Sequence, residues 1–224
     1  MNQRDASSEI TPDLMLRAYA AGIFPMAKSK ATETVFWISP RERGILPLDN
    51  FHVSKSLRKT VRQNRFEIRC NTAFAETLTE CSRQTPERSN TWINDSIKRC
   101  VNELHARGFA HSIECWLDGK LVGGLYGISL GAAFFGESMF SRVANASKVA
   151  LVHLITHLKL GGYQLLDTQF TTNHLERLGV IQVPASDYQI MLEEALKYQA
   201  IFPINATECE WESTLDDVLL NILT

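Results

Sequence analysis

The chain has 224 residues, 45% hydrophobic and 21% charged, enough for one large globular domain or for a domain of roughly 150 residues with a smaller one attached. A net charge of −2 and a pI near 6.3 carry no global signal for nucleic acid, but Lys and Arg dominate from Arg41 to Arg69 while residues 205–224 hold acidic and no basic side chains, so a polyanion would approach the first third. The five cysteines form no C-x-x-C pair, no apolar signal core follows Met1, and no stretch approaches about 18 uncharged apolar residues; this argues against a disulfide framework, a zinc knuckle, export or membrane spanning, and a reducing cytoplasm is the expected setting.

Thr11-Pro12-Asp13 opens the first predicted helix, with Thr as cap, Pro at the first helical position and Asp favoured by the helix dipole. Leu14, Ala18 and Ala21 follow at helical spacing, and Gly22 stops the helix. Residues 22–26 and 35–41 are short strand-like pieces, so residues 1–47 are expected to form a small N-terminal domain. The spacing from Ser54 predicts a basic amphipathic helix on which Lys55, Lys59 and Arg62 share a face, Arg58 and Arg65 lie beside them, and Leu57 and Val61 point away. With no acidic partner at i+4, a phosphate-binding face stands beside the plainer reading of a solvated surface.

Residues 65–70 alternate as a strand, 71–82 read as a capped helix, and Asn94 caps a helix with Ile97, Val101 and Leu104 on one face and a stop at Gly108. Residues 111–117 and 120–129 flank Asp118-Gly119, the signal of a type I′ hairpin. A strand over 132–135, a helix over 147–160, a buried strand over 163–169, a short helix over 172–178 and two helices over 186–198 and 213–223 finish the chain. From Arg65 this is the element order of the acetyltransferase-like (GNAT) α/β fold, a mixed sheet in which the strands before and after the central helix splay into a substrate cleft. Residues 48–224 are the expected catalytic domain.

Carboxylates inside or just after strongly apolar runs mark candidate site residues, because an unpaired buried charge is costly. Glu137 follows Phe134-Phe135-Gly136 at an expected strand end, and Asp167 and Gln169 project from one strand face. The purely structural alternative has Asp167 capping the next loop and Gln169 satisfying a buried backbone group. His153 and His157 stand at i and i+4 but lack a third ligand, so no metal is expected. Cys100 and Cys115 read as packed thiols, and Trp37 and Trp92 as core anchors or as platforms for a stacked base. The turn from Ser141 to Lys148 has no glycine, unlike the loop that holds pyrophosphate in CoA-dependent acetyltransferases.

Many ordered runs, among them Gly22-Ile23-Phe24-Pro25, Trp37-Ile38-Ser39-Pro40-Arg41, Thr91-Trp92-Ile93, Gly123-Gly124-Leu125-Tyr126-Gly127, Gly136-Glu137-Ser138-Met139-Phe140-Ser141 and Asn145-Ala146-Ser147-Lys148, resemble the signatures of bacterial leucyl/phenylalanyl-tRNA–protein transferases. The resemblance runs from about Leu14 to Met191. It implies transfer of Leu or Phe, sometimes Met, from aminoacyl-tRNA to the N-terminal Arg or Lys of a protein, marking it for degradation, with no metal or organic cofactor. It implies that Gln169 contacts the reacting amine, that Asp167 orients Gln169 and raises its acceptor strength, and that Glu137 with Asp167 supplies negative charge for the basic acceptor side chain. The implied aminoacyl slot, which rejects β-branched side chains, matches Leu125, Phe134, Leu151, Leu154, Leu158 and Leu166. Trp92 matches the Trp that stacks on the terminal adenosine, Met26 stands where some members carry a second Trp, and Lys55, Arg58, Lys59 and Arg62 match the region implicated in binding the tRNA backbone. The competing readings are an acyl-CoA-dependent N-acyltransferase, disfavoured by the glycine-free turn, and a non-catalytic tRNA-binding module, disfavoured by the Glu137, Asp167 and Gln169 cluster.

Overall fold

In the computed structural model, residues 10–84, 91–202 and 205–220 are described together with the backbone of 2–6. In chain order the elements are β1 (Asn2–Ala6), α1 (Pro12–Ala20), β2 (Phe24–Ala27), β3 (Val35–Ser39), β4 (Glu42–Ile45), α2 (Lys55–Arg62), β5 (Glu67–Cys70), α3 (Phe74–Cys81), α4 (Asp95–Ala106), β6 (Ala110–Leu117), β7 (Lys120–Leu130), β8 (Ala133–Ser141), α5 (Ala146–Leu160), β9 (Leu165–Gln169), α6 (Asn173–Glu176), β10 (Ile181–Pro184), α7 (Ala185–Ala195) and α8 (Glu208–Leu220). The caps read at Thr11 and Asn94 are in place and Ser54 caps α2 in the same way, whereas α3 starts at Phe74 behind Ala73 with no side-chain cap rather than as a capped helix from 71. Thr11, Ser54 and Asn94 each accept the backbone N–H three residues on, at 3.3, 3.2 and 2.9 Å. Asp118 and Gly119 both take positive φ, 51° and 71°, as a type I′ hairpin requires.

The strands form two sheets, a three-stranded one in the order β1-β3-β2 and a seven-stranded one in the order β10-β4-β9-β8-β7-β6-β5. Every neighbouring pair is antiparallel except β8 and β9, which run parallel on either side of α5 in sequence. Side-chain alternation sorts the core into two layers. Ile45, Phe135 and Leu165 face the layer packed by α1, α3, α4, α7 and the small sheet, whereas Leu46, Phe134 and Leu166 face the layer packed by α2, α5 and α8. A Cβ on Gly123 would fall 2.4 Å from the Cβ of Ala146, so the missing side chain is what lets α5 lie directly on β7. Among the described residues no helix is long and apolar enough to cross a membrane.

Several bounds differ from expectation. β8 runs on through Ser141, because Ser138 to Ser141 keep pairing with β7 beyond the bulge at Tyr126/Gly127, where Glu137 is the extra residue opposite no β7 partner. Glu137 therefore lies within a strand and not at its end. β4 and β10, whose four-residue pieces show no sustained alternation, pair with each other, and β4 pairs with β9, so β4 belongs to the large sheet although the expected N-terminal domain extends past it to residue 47. α8 begins at Glu208, five residues earlier than 213.

Candidate active site

β8 and β9 pair only through Ala133↔Leu165, Phe134↔Leu166 and Phe135↔Asp167, and then diverge. Glu137 and Gln169, the next residues to face the gap, bridge it: the Gln169 Nε2 donates to Glu137 Oε1 at 3.2 Å. The same oxygen accepts the Tyr19 hydroxyl, which reaches in from α1, at 2.7 Å. Burial pushes the Glu137 carboxyl up to about 8, partly opposed by the Tyr19 hydrogen bond, with the nearby Asp167 charge adding to the rise and Arg43 reducing it. Tyr19 itself is raised well above the usual phenol range by burial and then by Glu137.

Asp167 is fully buried and fully engaged. Arg43 grips it with Nε to Oδ1 at 2.9 Å and Nη2 to Oδ2 at 2.6 Å, the Tyr188 hydroxyl donates to Oδ2 at 2.7 Å, and the backbone N–H of Gln169 donates to Oδ1 at 2.8 Å. The third arm of the guanidinium, Nη1, donates to the Gly22 carbonyl at 2.9 Å, and the group lies between the rings of Phe24 and Tyr188, 4.6 and 4.5 Å from their centroids. Asp167 thus holds Gln169 by its backbone, which stands in the left-handed region at φ 58°, and makes no hydrogen bond to its carboxamide. This corrects two expectations. Asp167 sets the conformation of Gln169 rather than polarising its side chain, and its charge is compensated by Arg43, which leaves Glu137 as the carboxylate at the mouth of the gap.

Behind Glu137 and Gln169 lies an apolar slot of about 120 Å³, lined by Leu125, Leu151, Leu154 and Leu166 as expected, and also by Leu46, Met139 and Leu175. Phe134 and Leu158 do not line it. Phe134 is fully buried against Tyr163 and Phe202, with ring centroids 6.1 and 5.6 Å away, and Leu158 is fully buried in the same core layer one helical turn beyond Leu154. Sequence reading missed Tyr19, Arg43 and Tyr188. Arg43 had one faint signal, a cation leading directly into Gly44-Ile45-Leu46, whereas the two tyrosines look like ordinary apolar-face residues of helices.

The Trp92 carbonyl accepts the Ala27 N–H at 3.1 Å, so Trp92 and Met26 are neighbours; both are half-buried against the core and lie outside the slot lining. On α2, Lys55, Lys59 and Arg62 are exposed, with Arg62 3.5 Å from Asp216 of α8. Arg58 is half-buried, and among the described residues its Nε and Nη2 have no hydrogen-bond partner. In the glycine-free turn, Asn145 is left-handed at φ 69°, and Arg142 is held by Glu80 of α3. Away from the cleft, His153 and His157 pack against Trp211, and Glu114 is satisfied by the Ala73 N–H at 2.8 Å, Ser112 at 2.9 Å and Trp116 at 3.2 Å.

A parallel strand pair that parts beside the central helix, with an apolar slot ending on a carboxyl and a carboxamide, defines an acyl-transfer enzyme of the acetyltransferase-like mixed α/β class. The fold alone is matched by the crystal structure of FemX, with a TM-score of 0.53 at 11% identity over 81% of this chain and 69% of that one. The family model for the leucyl/phenylalanyl-tRNA protein transferase matches residues 45–193, and the model for the N-terminal domain of that family matches residues 8–41. The leucyl/phenylalanyl-tRNA–protein transferase of Paramagnetospirillum magneticum is 54% identical over 92% of this chain and 98% of its own length; that of Rhizorhabdus wittichii is 56% identical over 84% and 75%. The chain belongs to the leucyl/phenylalanyl-tRNA–protein transferase family.

Proposed function

We propose that the chain transfers Leu or Phe, and also Met, from aminoacyl-tRNA to the N-terminal Arg or Lys of acceptor proteins, marking them for degradation, and that it works as a cytoplasmic monomer without a bound cofactor. The observation that carries this reading is the splay of β8 from β9, where an apolar slot ends on Gln169, Glu137 and Tyr19. An apolar side chain unbranched at Cβ enters between Leu125, Leu151, Leu154 and Leu166, which leaves the ester carbonyl at the mouth.

Gln169 donates its Nε2 to Glu137, so its Oε1 is left to accept a hydrogen bond from the incoming amine. Glu137, held at about 8, matches the ordinary α-ammonium value of about 7.7–8.0, so a proton passes from the ammonium to the carboxylate at little cost. The freed amine forms the C–N bond, the bond from the carbonyl carbon to the 3′ oxygen breaks, and the proton shed by the nitrogen goes to that oxygen. An acceptor Arg or Lys side chain beside Glu137 favours its ionised form, which links the preference for basic N-termini to the fraction of Glu137 present as carboxylate. Trp92 and Met26 are proposed to meet the terminal adenosine, and Lys55, Arg58, Lys59 and Arg62 the tRNA backbone.

The test is to incubate labelled Phe-tRNA or labelled acetyl-CoA with a peptide that begins in Arg and to score transfer of label. Label from Phe-tRNA supports the reading. Label from acetyl-CoA alone would replace it with an acyl-CoA enzyme, and label from neither with a binding module.

A further inference from the structure

The slot has a cationic rim on its α5 and α6 side. Lys148 stands in the first turn of α5, three residues before Leu151, and so shares the helix face that lines the slot. Leu175 closes the slot from α6, with His174 and Arg177 beside it in sequence. Loss of water, and then the charges of Lys148 and Arg177, push His174 below the ordinary imidazole value. Among the described residues none of the three forms an ion pair, and Glu176 is the one carboxylate on α6. Cationic groups gathered without counter-charge at the edge of an apolar slot repel one another, and an anion lying there removes that repulsion.

The rim also has a place along a path. The His52 N–H donates to the Leu178 carbonyl at 2.9 Å, which fastens the end of the α6 segment to the stretch that enters α2 through its Ser54 cap. The α6 end of the rim therefore adjoins the stretch that leads into α2. We propose that Lys148 and Arg177, with the neighbouring His174, receive the phosphodiesters of the single-stranded 3′ end of the donor RNA, while the attached amino acid occupies the slot. This assignment rests on the reading of aminoacyl-tRNA as donor. Its contacts go to phosphates, so it is indifferent to base sequence.

Three donors carrying the same labelled Phe separate the parts: Phe-tRNA, Phe-CCA, which keeps the internucleotide phosphodiesters, and Phe-adenosine, which has none. In the Lys148→Ala/Arg177→Ala double variant the ratio of kcat/KM for Phe-CCA to that for Phe-adenosine should fall about tenfold, at about threefold for each lost charge–phosphate contact. The slope of log affinity for Phe-tRNA against log salt should become shallower by about 1.4, at about 0.7 for each single-strand phosphate. Arg177→Lys, which keeps the charge, should retain most of the ratio. An unchanged ratio, an equal loss on all three donors or a loss confined to Phe-tRNA would overturn the assignment. Wild-type enzyme that transfers label from none of the three would overturn the donor reading, and the rim assignment with it.

Discussion

Replacing Arg43 by Met tests whether the buried ion pair beneath the cleft is what fixes the site. The substitution removes the guanidinium bonds to Asp167 at 2.9 and 2.6 Å and leaves that carboxylate in a fully buried position with Tyr188 and one backbone N–H as donors. Breaking such a pair from one side costs about 3–5 kcal/mol, because the remaining charge has neither water nor a counter-charge. For a chain of this size about 2–4 °C of Tm accompanies each kcal/mol, so a fall of about 6–20 °C is expected. Asp167→Leu should lose a similar amount by stranding the guanidinium. The double variant Arg43→Met/Asp167→Leu carries no buried charge, so its loss in urea or thermal unfolding should be smaller than the sum of the singles by about 2 kcal/mol or more. It should nevertheless stay inactive, since the Gln169 N–H has lost its acceptor and nothing holds the left-handed backbone. Single losses below about 1 kcal/mol, or a double loss equal to the sum, would refute the argument.

The wild-type kcat/KM profile for an Arg peptide should be bell-shaped, rising as Glu137 ionises toward about 8 and falling as the free amine loses its proton above about 8. Glu137→Gln should lower the rate by about 10²–10⁴ and rise with pH to a plateau; a bell in the variant would remove Glu137 from the proton path. Burial holds His153 and His157 down to about 4, below the unfolded value near 6.5, so the unfolded state takes up protons first as pH falls. Their contribution is complete above about 6.5 and lost between there and about 4; the urea midpoint should drop across that window, and by less in a His153→Gln/His157→Gln variant whose stability at neutral pH serves as reference. Finally, affinity for Phe-tRNA should fall steeply with salt, and Lys55→Ala/Lys59→Ala should flatten the dependence; a flat response in the wild type would count against the α2 face.

The elements legible in the sequence were those with a local cause. The caps at Thr11 and Asn94, the Asp118-Gly119 turn and the long apolar α5 all depend on neighbours within a few residues. What escaped was set by distant partners. The short strands β4 and β10 are strands because each pairs with segments far along the chain, and Glu42 to Ile45 has no alternation of its own to announce it. The site divides in the same way. Glu137, Asp167 and Gln169 stood out because charged or polar groups interrupt apolar runs, and of the six slot residues that the family resemblance implied, four line the cavity. Phe134 and Leu158 were misplaced because being apolar on the right element does not say whether a side chain borders the cavity or the core beneath it. Arg43, Tyr19 and Tyr188 earn their roles only across separations of 124, 118 and 21 residues, which no local pattern records.

Those separations also bear on synthesis. The ribosome releases Tyr19 and Arg43 early, but Glu137 follows 118 residues after Tyr19, Asp167 124 after Arg43, and Tyr188 a further 21 after Asp167. Until β9 and α7 have emerged, the nascent chain has no left-handed Gln169 and no gap between β8 and β9. Closure of such distant contacts is slow relative to helix and hairpin formation. Competence to handle a charged tRNA therefore arrives only with the last third of the polypeptide, after the enzyme's own translation is nearly finished.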